Sequence, residues 1–190
     1  MKVSETALAG VKLIEPPVFR DARGSTVELW NESRFREAGL LGNIAQDLVS
    51  VSAQGVVRGL HFQQPYPQGK LVTVLSGTIF DVVLDIRIGA PTFGRWISVT
   101  LSADEPRILI IPQGFAHGFQ VTSERAVVAY KLTDFYPREA EGGIAWNDPN
   151  LAIDWPLPEP TLSEKDRAHP PLHAIMPARL PGYIPTLPSA

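Results

Sequence analysis

An antiparallel all-β barrel is the fold class the sequence predicts, and three observations predict it. Between Val49 and Leu132 the chain breaks into short β-branched and aromatic runs separated by turn residues. One run per ten residues or so is the spacing of a sandwich or barrel, not of alternating β/α units. Helical signals are few. Ten of the eighteen prolines fall between Pro149 and Pro188, so the C-terminal part has no long regular elements. With 190 residues, 44% hydrophobic and 19% charged, the chain reads as one globular domain over 1–190, with a barrel core at about 45–135 and a Pro-rich wrapping tail at 149–190.

The predicted strands are Gly69–Ser76, Ile79–Arg87, Gly94–Leu101, Arg107–Ile111, Gly118–Val121 and Ala126–Leu132. Ser76-Gly77-Thr78 has the composition of a hairpin turn. Phe80, Val82, Leu84 and Ile86 share one face at period two, and Asp81, Asp85 and Arg87 share the other, the pattern of a half-buried strand. Glu32–Ala38 can form a short helix, and Ser163 followed by Asp166 three residues later resembles an N-cap. Closing the barrel would hide its strand edges.

Composition also limits function. At this length a fold buries roughly 70% of the surface of the unfolded chain without staples. The absence of cysteine excludes disulfide scaffolds, cysteine zinc sites and thiol catalysis. Seventeen basic against twenty acidic residues give a net charge of -3, which argues against nucleic acid or an anionic membrane as partner but leaves room for one anionic ligand held by a few arginines. The opening MKVSETALAG has no apolar run of the secretory type, and no window reaches the ~18 apolar residues of a membrane span. The expected compartment is the cytoplasm.

Two clusters carry the chemistry. The first is Arg58-Gly59-Leu60-His61-Phe62-Gln63, followed by Gln68-Gly69-Lys70. Arg58 and Lys70 could be solvated strand-end charges and His61 a packed histidine. Strict alternation puts Arg58 and His61 on opposite faces, so they share a site only if the strand bulges at Gly59. The second cluster is Ile111-Pro112-Gln113-Gly114-Phe115-Ala116-His117-Gly118-Phe119, whose Pro-x-Gly-x-x-His run resembles a signature of cupin barrels, in which the histidine points into the barrel mouth. Metal-binding cupins supply two histidines one residue apart and then a carboxylate. Here Gln63 stands two after His61, and no acidic residue follows until Asp81. Such a set is poor for a divalent metal, and no catalytic metal is expected.

Acid–base work by side chains remains. His61 suits a general base near neutral pH. Tyr130 can donate a proton to a carbanion or enolate, although packing is the commoner role of a strand tyrosine. Asp166 could orient an imidazole, or serve only a helix cap.

Taken together, these residues resemble the dTDP-4-dehydrorhamnose 3,5-epimerase family. The matching segments run in order over about residues 10–170: Asp21-Ala22-Arg23-Gly24 with Glu28, Gln46-Asp47, Gly55 to Gln63, Gln68 to Val72, Gly77 to Arg87, Pro91 to Gly94, Ile111 to Phe119, Tyr130-Lys131, Tyr136, Trp146 to Pro149, Ile153 to Pro156 and Leu162 to Asp166. The resemblance implies a cupin-type jelly roll without metal or cofactor, a homodimer, and a dTDP-4-keto-6-deoxyhexose as substrate. By position it implies His61 as base, Asp166 as its partner, Tyr130 as acid on the opposite sugar face, and Lys70 beside the C4 carbonyl oxygen. It further implies Arg23, Arg58 and His117 near the diphosphate and sugar, Glu28 and Gln46 near the nucleobase or neighbouring groups, Tyr136 stacked on thymine, and Glu141 and Lys165 lining the pocket.

The chain departs from the family pattern at Thr26 or Val27, where phenylalanine is frequent, at Leu48, where asparagine is frequent, and in Gln64-Pro65-Tyr66-Pro67, one residue short. Alternatives with the same enolate chemistry are a mono-epimerase and a 3,4-ketoisomerase. A sugar-nucleotide-binding cupin without catalysis is the alternative of another class, and a metal-dependent oxygenase using His61 and His117 is a further one.

Overall fold

In the computed structural model, which describes residues 1–40 and 42–184, two antiparallel sheets face each other across a hydrophobic interior. The strands in chain order are β1 (Lys2–Glu5), β2 (Lys12–Glu15), β3 (Val18–Asp21), β4 (Gly24–Val27), β5 (Gln46–Ala53), β6 (Val57–Gln63), β7 (Lys70–Ser76), β8 (Thr78–Asp85), β9 (Trp96–Ser102), β10 (Ile108–Ile111), β11 (Phe115–Val121), β12 (Arg125–Leu132) and β13 (Glu141–Gly143). One sheet has the order β1-β2-β10-β7-β12-β5, the other β13-β6-β11-β8-β9, and β3 and β4 form a separate hairpin. This is an all-β jelly roll with two short helices, α1 (Glu32–Glu37) and α2 (Glu164–Arg167). Asn31 caps α1 and Ser163 caps α2.

Period-two alternation decides what each face meets. Val72 and Val74 of β7, Ile79 and Val83 of β8, Phe115 and Phe119 of β11 and Val128 of β12 meet in the interior. On the outside of the six-stranded sheet, Leu71, Ile108 and Ile110 pack against Phe35 and Leu40, which is why a six-residue helix persists there. On the outside of the five-stranded sheet, Leu60, Val82, Leu84 and Ile86 are covered by Ile144, Leu151, Leu172 and Leu180. The Pro-rich tail therefore acts as a third layer; its last six residues, 185–190, lie outside the described residues.

Four expectations change. Strand β8 is buried on both faces: its apolar side turns outward beneath the tail, and the side of Asp81 and Asp85, which alternation alone leaves to solvent, turns into the interior with Ile79 and Val83, so both carboxylates are 0% exposed. The Ser76-Gly77-Thr78 segment is no hairpin: β7 and β8 belong to different sheets, and Gly77, at φ 78°, carries the chain from one to the other. Gly77 is confined there, since an added Cβ would collide with the Arg125 carbonyl and Ser123 Oγ. The sheets do not close on themselves, because β5 pairs with β12 alone and leaves an edge. Strands β1 and β2 extend the six-stranded sheet beside β10, although the predicted core begins near residue 45.

Asp85 anchors the tail. Its carboxylate accepts hydrogen bonds from Arg87 N (3.0 Å), Arg87 Nε (2.9 Å), Arg87 Nη2 (2.6 Å) and Thr92 Oγ1 (2.6 Å). The Arg87 guanidinium in turn lies 4.2 Å from the Phe115 ring centroid and 5.1 Å from that of Tyr183. Burial alone would raise the Asp85 pKa, but the bonds from Arg87 and Thr92 outweigh it and hold the carboxyl below its ordinary value. A depressed native pKa gives stability that is complete above the unfolded-state value and disappears as pH falls through the native one. We expect Asp85→Asn to cost about 3 kcal/mol in urea unfolding at pH 7, and the gap between variant and wild type to shrink below about pH 4. A gap that is constant down to pH 3 would contradict this account.

Candidate active site

The interior opens at one end into a cavity of about 390 Å³ lined from both sheets, within the size range of small-ligand sites. Residues of β6 and β11 form one wall and residues of β5, β7 and β12 the other. Arg58 and His61 both line it. The register shows how: His117 pairs with His61 and Phe119 with Arg58, so three steps on β6 oppose two on β11. That is the one-residue bulge the sequence requires, and it sits at Gly59 with φ 129°. A Cβ there would lie 2.5 Å from Gly118 Cα and 2.9 Å from the His117 carbonyl oxygen, so glycine is needed for space as well as for conformation.

His61 is bonded to Asp166, with Nε2 to Oδ1 at 2.5 Å, across 105 residues of sequence. The carboxylate accepts the imidazole N–H, which leaves the other ring nitrogen with the lone pair. Asp166 is 4% exposed, and its own N–H donates to Ser163 Oγ at 3.1 Å, so the cap of α2 fixes the residue that fixes His61. Burial works to raise the Asp166 pKa, but the bond and charge of His61 prevail and keep it low, as an anion.

On β7, Lys70 reaches the His61 carbonyl oxygen at 3.4 Å. Burial brings its pKa down to about 8, with Asp81 and Glu141 pulling the other way. His117 Nε2 bonds Asp81 Oδ2 at 2.8 Å, both groups being buried. Burial pushes Asp81 up and His117 down, and each partner resists the shift of the other. Each histidine that the sequence singles out is thus bonded to its own carboxylate.

Tyr130 projects from β12 on the opposite wall and shares a 3.1 Å hydrogen bond with Ser50 Oγ. Burial raises its pKa further above the ordinary phenol value, so the hydroxyl keeps its proton at neutral pH. Arg58 Nε donates to Ser52 Oγ at 3.0 Å, bridging the two sheets.

At the rim, Tyr136 donates its hydroxyl to Glu141 Oε2 (2.7 Å), Lys165 Nζ donates to Glu141 Oε1 (2.6 Å), and the Tyr136 N–H donates to Gln46 Oε1 (3.2 Å). Tyr136, Glu141 and Lys165 line the cavity, whereas Gln46 stands behind it, bonded to Tyr136 and paired with Leu132. The structure does not bring Arg23 or Glu28 to this cavity. Arg23 follows β3 at the hairpin tip, 89% exposed and paired with Asp21, and Glu28 pairs with Arg34 at 3.0 Å. Leu48, a departure from the family pattern, lines the cavity.

Three residues around the site escaped sequence reasoning. Asp81 was visible only as an acidic residue within an apolar strand. Gln63 ties the mouth together by donating to the carbonyls of Tyr66 (2.7 Å) and Phe135 (3.2 Å). His169 lies edge-on to His61, with ring centroids 5.6 Å apart, and its Nδ1 is 3.8 Å from Asp166 Oδ1. The available signal was its closeness in sequence to Asp166, three residues away.

Comparison with known proteins gives a consistent result. The family model described as dTDP-4-dehydrorhamnose 3,5-epimerase matches residues 5–174. A dTDP-4-dehydrorhamnose 3,5-epimerase of Pseudomonas aeruginosa is 52% identical over 169 residues, covering 88% of this chain and 93% of that protein. The structure of a dTDP-6-deoxy-D-glucose-3,5-epimerase from Legionella pneumophila, in complex with dTDP-4-keto-L-rhamnose, superposes with a TM-score of 0.94 at 46% identity, covering 97% of this chain and 99% of that one. A 3'-monoepimerase of Streptomyces bikiniensis, in complex with dTDP-quinovose, superposes with a TM-score of 0.89 at 34% identity, covering 94% and 92%.

The role of the α2 cap can be measured directly. Ser163→Ala should cost about 1 kcal/mol in urea unfolding and loosen Asp166, which its Oγ holds. Unchanged stability, together with an unchanged His61 imidazole NMR spectrum, would show that the cap does not position Asp166.

Proposed function

We propose that the chain, which belongs to the dTDP-4-dehydrorhamnose 3,5-epimerase family, inverts C3 and C5 of a dTDP-4-keto-6-deoxyhexose in deoxysugar synthesis. Hydrogens at C3 and C5 are both α to the C4 ketone, so removing either gives an enolate whose charge gathers on the ketone oxygen. His61 takes the proton. Its imidazolium is stabilised by Asp166, an anion already bonded to the ring. Lys70 supplies positive charge to the enolate oxygen from within a buried wall, where a fixed cation acts most strongly. Tyr130 returns a proton to the opposite ring face and so inverts the centre.

The observation that carries this reading is that His61 projects from β6 and Tyr130 from β12, two strands of facing sheets, into one cavity. A ring lying between them presents one face to a base and the other to a neutral phenol. Arg58 and His117 suit a diphosphate and sugar hydroxyls, and Tyr136 offers an aromatic face at the rim for the thymine.

With dTDP-4-keto-6-deoxyglucose in deuterated water, NMR should show deuterium at C3 and C5 and an inverted product. His61→Ala should abolish exchange, and Tyr130→Phe should lower product formation by roughly 10²-fold or more while its stability drops by only about 1 kcal/mol. Exchange confined to C3 would indicate the mono-epimerase reading that the Streptomyces bikiniensis relative favours.

The active species we propose is a homodimer. On the outer face of the six-stranded sheet Val49 is 62%, Val51 49% and Leu75 47% exposed, beside the open edge of β5. The β3–β4 hairpin projects with Phe19 61% exposed, and an isolated two-stranded hairpin is marginal in water. A second copy covering these surfaces would shield both and could receive Arg23. Sedimentation should give twice the chain mass, and Val49→Glu with Val51→Glu should yield a monomer; a monomeric wild type would refute the dimer.

A further inference from the structure

We propose that His61, Asp166 and His169 form an inhibitory site for a divalent transition metal of borderline softness, with zinc as its chemical type. One ring nitrogen each of His61 and His169 and one Asp166 carboxylate oxygen all lie within 4.8 Å of one another, and the named pairs are His61 Nε2 to Asp166 Oδ1 at 2.5 Å and His169 Nδ1 to the same oxygen at 3.8 Å. His169 Nδ1 is buried and has no hydrogen-bond partner among the described residues, although its side chain stands beside an anionic carboxylate. An imidazole nitrogen left unbonded among polar groups is costly to keep, and a metal is one of the few ligands that would satisfy it.

Two imidazoles and a carboxylate are the donors of many three-ligand zinc sites, with a fourth position open. For bonds of about 2.0–2.1 Å in tetrahedral geometry, donor atoms stand roughly 3.3 Å apart. The Asp166–His61 separation of 2.5 Å would therefore open by under an ångström, and the Asp166–His169 separation of 3.8 Å would close by about half of one. Coordination through Nε2 moves the proton of that nitrogen to the other ring nitrogen of His61 or to solvent. Gly143 allows the His169 ring its place, since a Cβ there would overlap it.

The cost falls on catalysis, and this part of the inference rests on the proposed epimerase reading. The metal would replace the hydrogen bond that prepares His61 as a base and would leave the proton on the other ring nitrogen, the one that must accept the proton of the substrate.

The test is calorimetric titration of EDTA-treated protein with zinc chloride, beside deuterium exchange into dTDP-4-keto-6-deoxyglucose. One zinc ion per chain is expected, with exchange lost in proportion to occupancy and restored by EDTA. His169→Phe, which keeps the ring volume without a donor, should exchange normally without zinc and bind zinc at least about tenfold more weakly. His169→Ala provides the same comparison should the phenylalanine misfold. Imidazole NMR of the wild type locates the ion independently: shifts at His61 and His169 are expected, and shifts confined to the exposed His173 would overturn the site. Undiminished zinc affinity in a folded His169 variant, or exchange that bound zinc does not slow, would also overturn it. A chain that binds zinc through His169 but exchanges no substrate proton would uphold the site and refute the epimerase reading.

Discussion

The extra residue in β6 at Gly59 is the constraint on which the site depends. A regular strand would turn either Arg58 or His61 toward the tail-covered outer face, where Leu60 and Phe62 pack. The bulge turns both inward, and it exists because two glycines, Gly59 and Gly118, meet backbone to backbone across β6 and β11. Lys70 then reaches the His61 carbonyl from the opposite sheet, and Arg58 reaches Ser52 on β5. Both sheets are thus held at the cavity by polar contacts that need this one displacement.

Charge is arranged in bonded pairs around that frame. Asp81 faces His117, Asp166 faces His61, and Glu141 faces Lys165 and Tyr136. Lys70 stands apart, since its fixed neighbours, Asp81 and Glu141, act on it only through space. A cation desolvated without a bonded counter-ion is poised to meet a charge that develops only during reaction. Preorganisation of this kind is what an enolate-forming site requires, because water supplies its stabilisation only after reorganising. Tyr130 is the complement, a hydroxyl kept neutral by burial on the wall opposite the base.

Much of this was legible in the sequence, and the failures have physical causes. Period-two alternation separated the two faces of β8, but it records only polarity, so it could not show that the apolar face lies outward beneath the tail while Asp81 and Asp85 turn inward. Gly77 was identified as a turn residue because its left-handed conformation favours glycine, yet a turn of that kind serves equally to carry a chain between sheets. The Gly59 bulge could be posed as a condition because the chemistry demanded it. Asp166 and His61, 105 residues apart, could be joined only by resemblance, since no local pattern links a tail residue to a central strand. Arg23 and Glu28 match the family by position but lie outside this chain's own cavity, a separation that one-dimensional order cannot express.

The tail's two roles are one mechanical arrangement. Residues after Ile144 cover Leu60, Val82, Leu84 and Ile86, and the same segment delivers Asp166 to His61. It is held before α2 by the Val56–Thr161 bridge, where Val57 N donates to Thr161 O at 3.0 Å, and after it by Ile88–Gly182 and the Arg87–Tyr183 contact. Proline suits this path. It gives up helix and strand pairing but lowers the entropy of the unfolded tail, so an irregular segment can hold one conformation from few anchors. A carboxylate presented by such a segment is fixed by burial and by its cap, not by a sheet. The base on β6 is rigid while its partner depends on how well the tail is seated, so packing of the tail and basicity at His61 are coupled through Asp166.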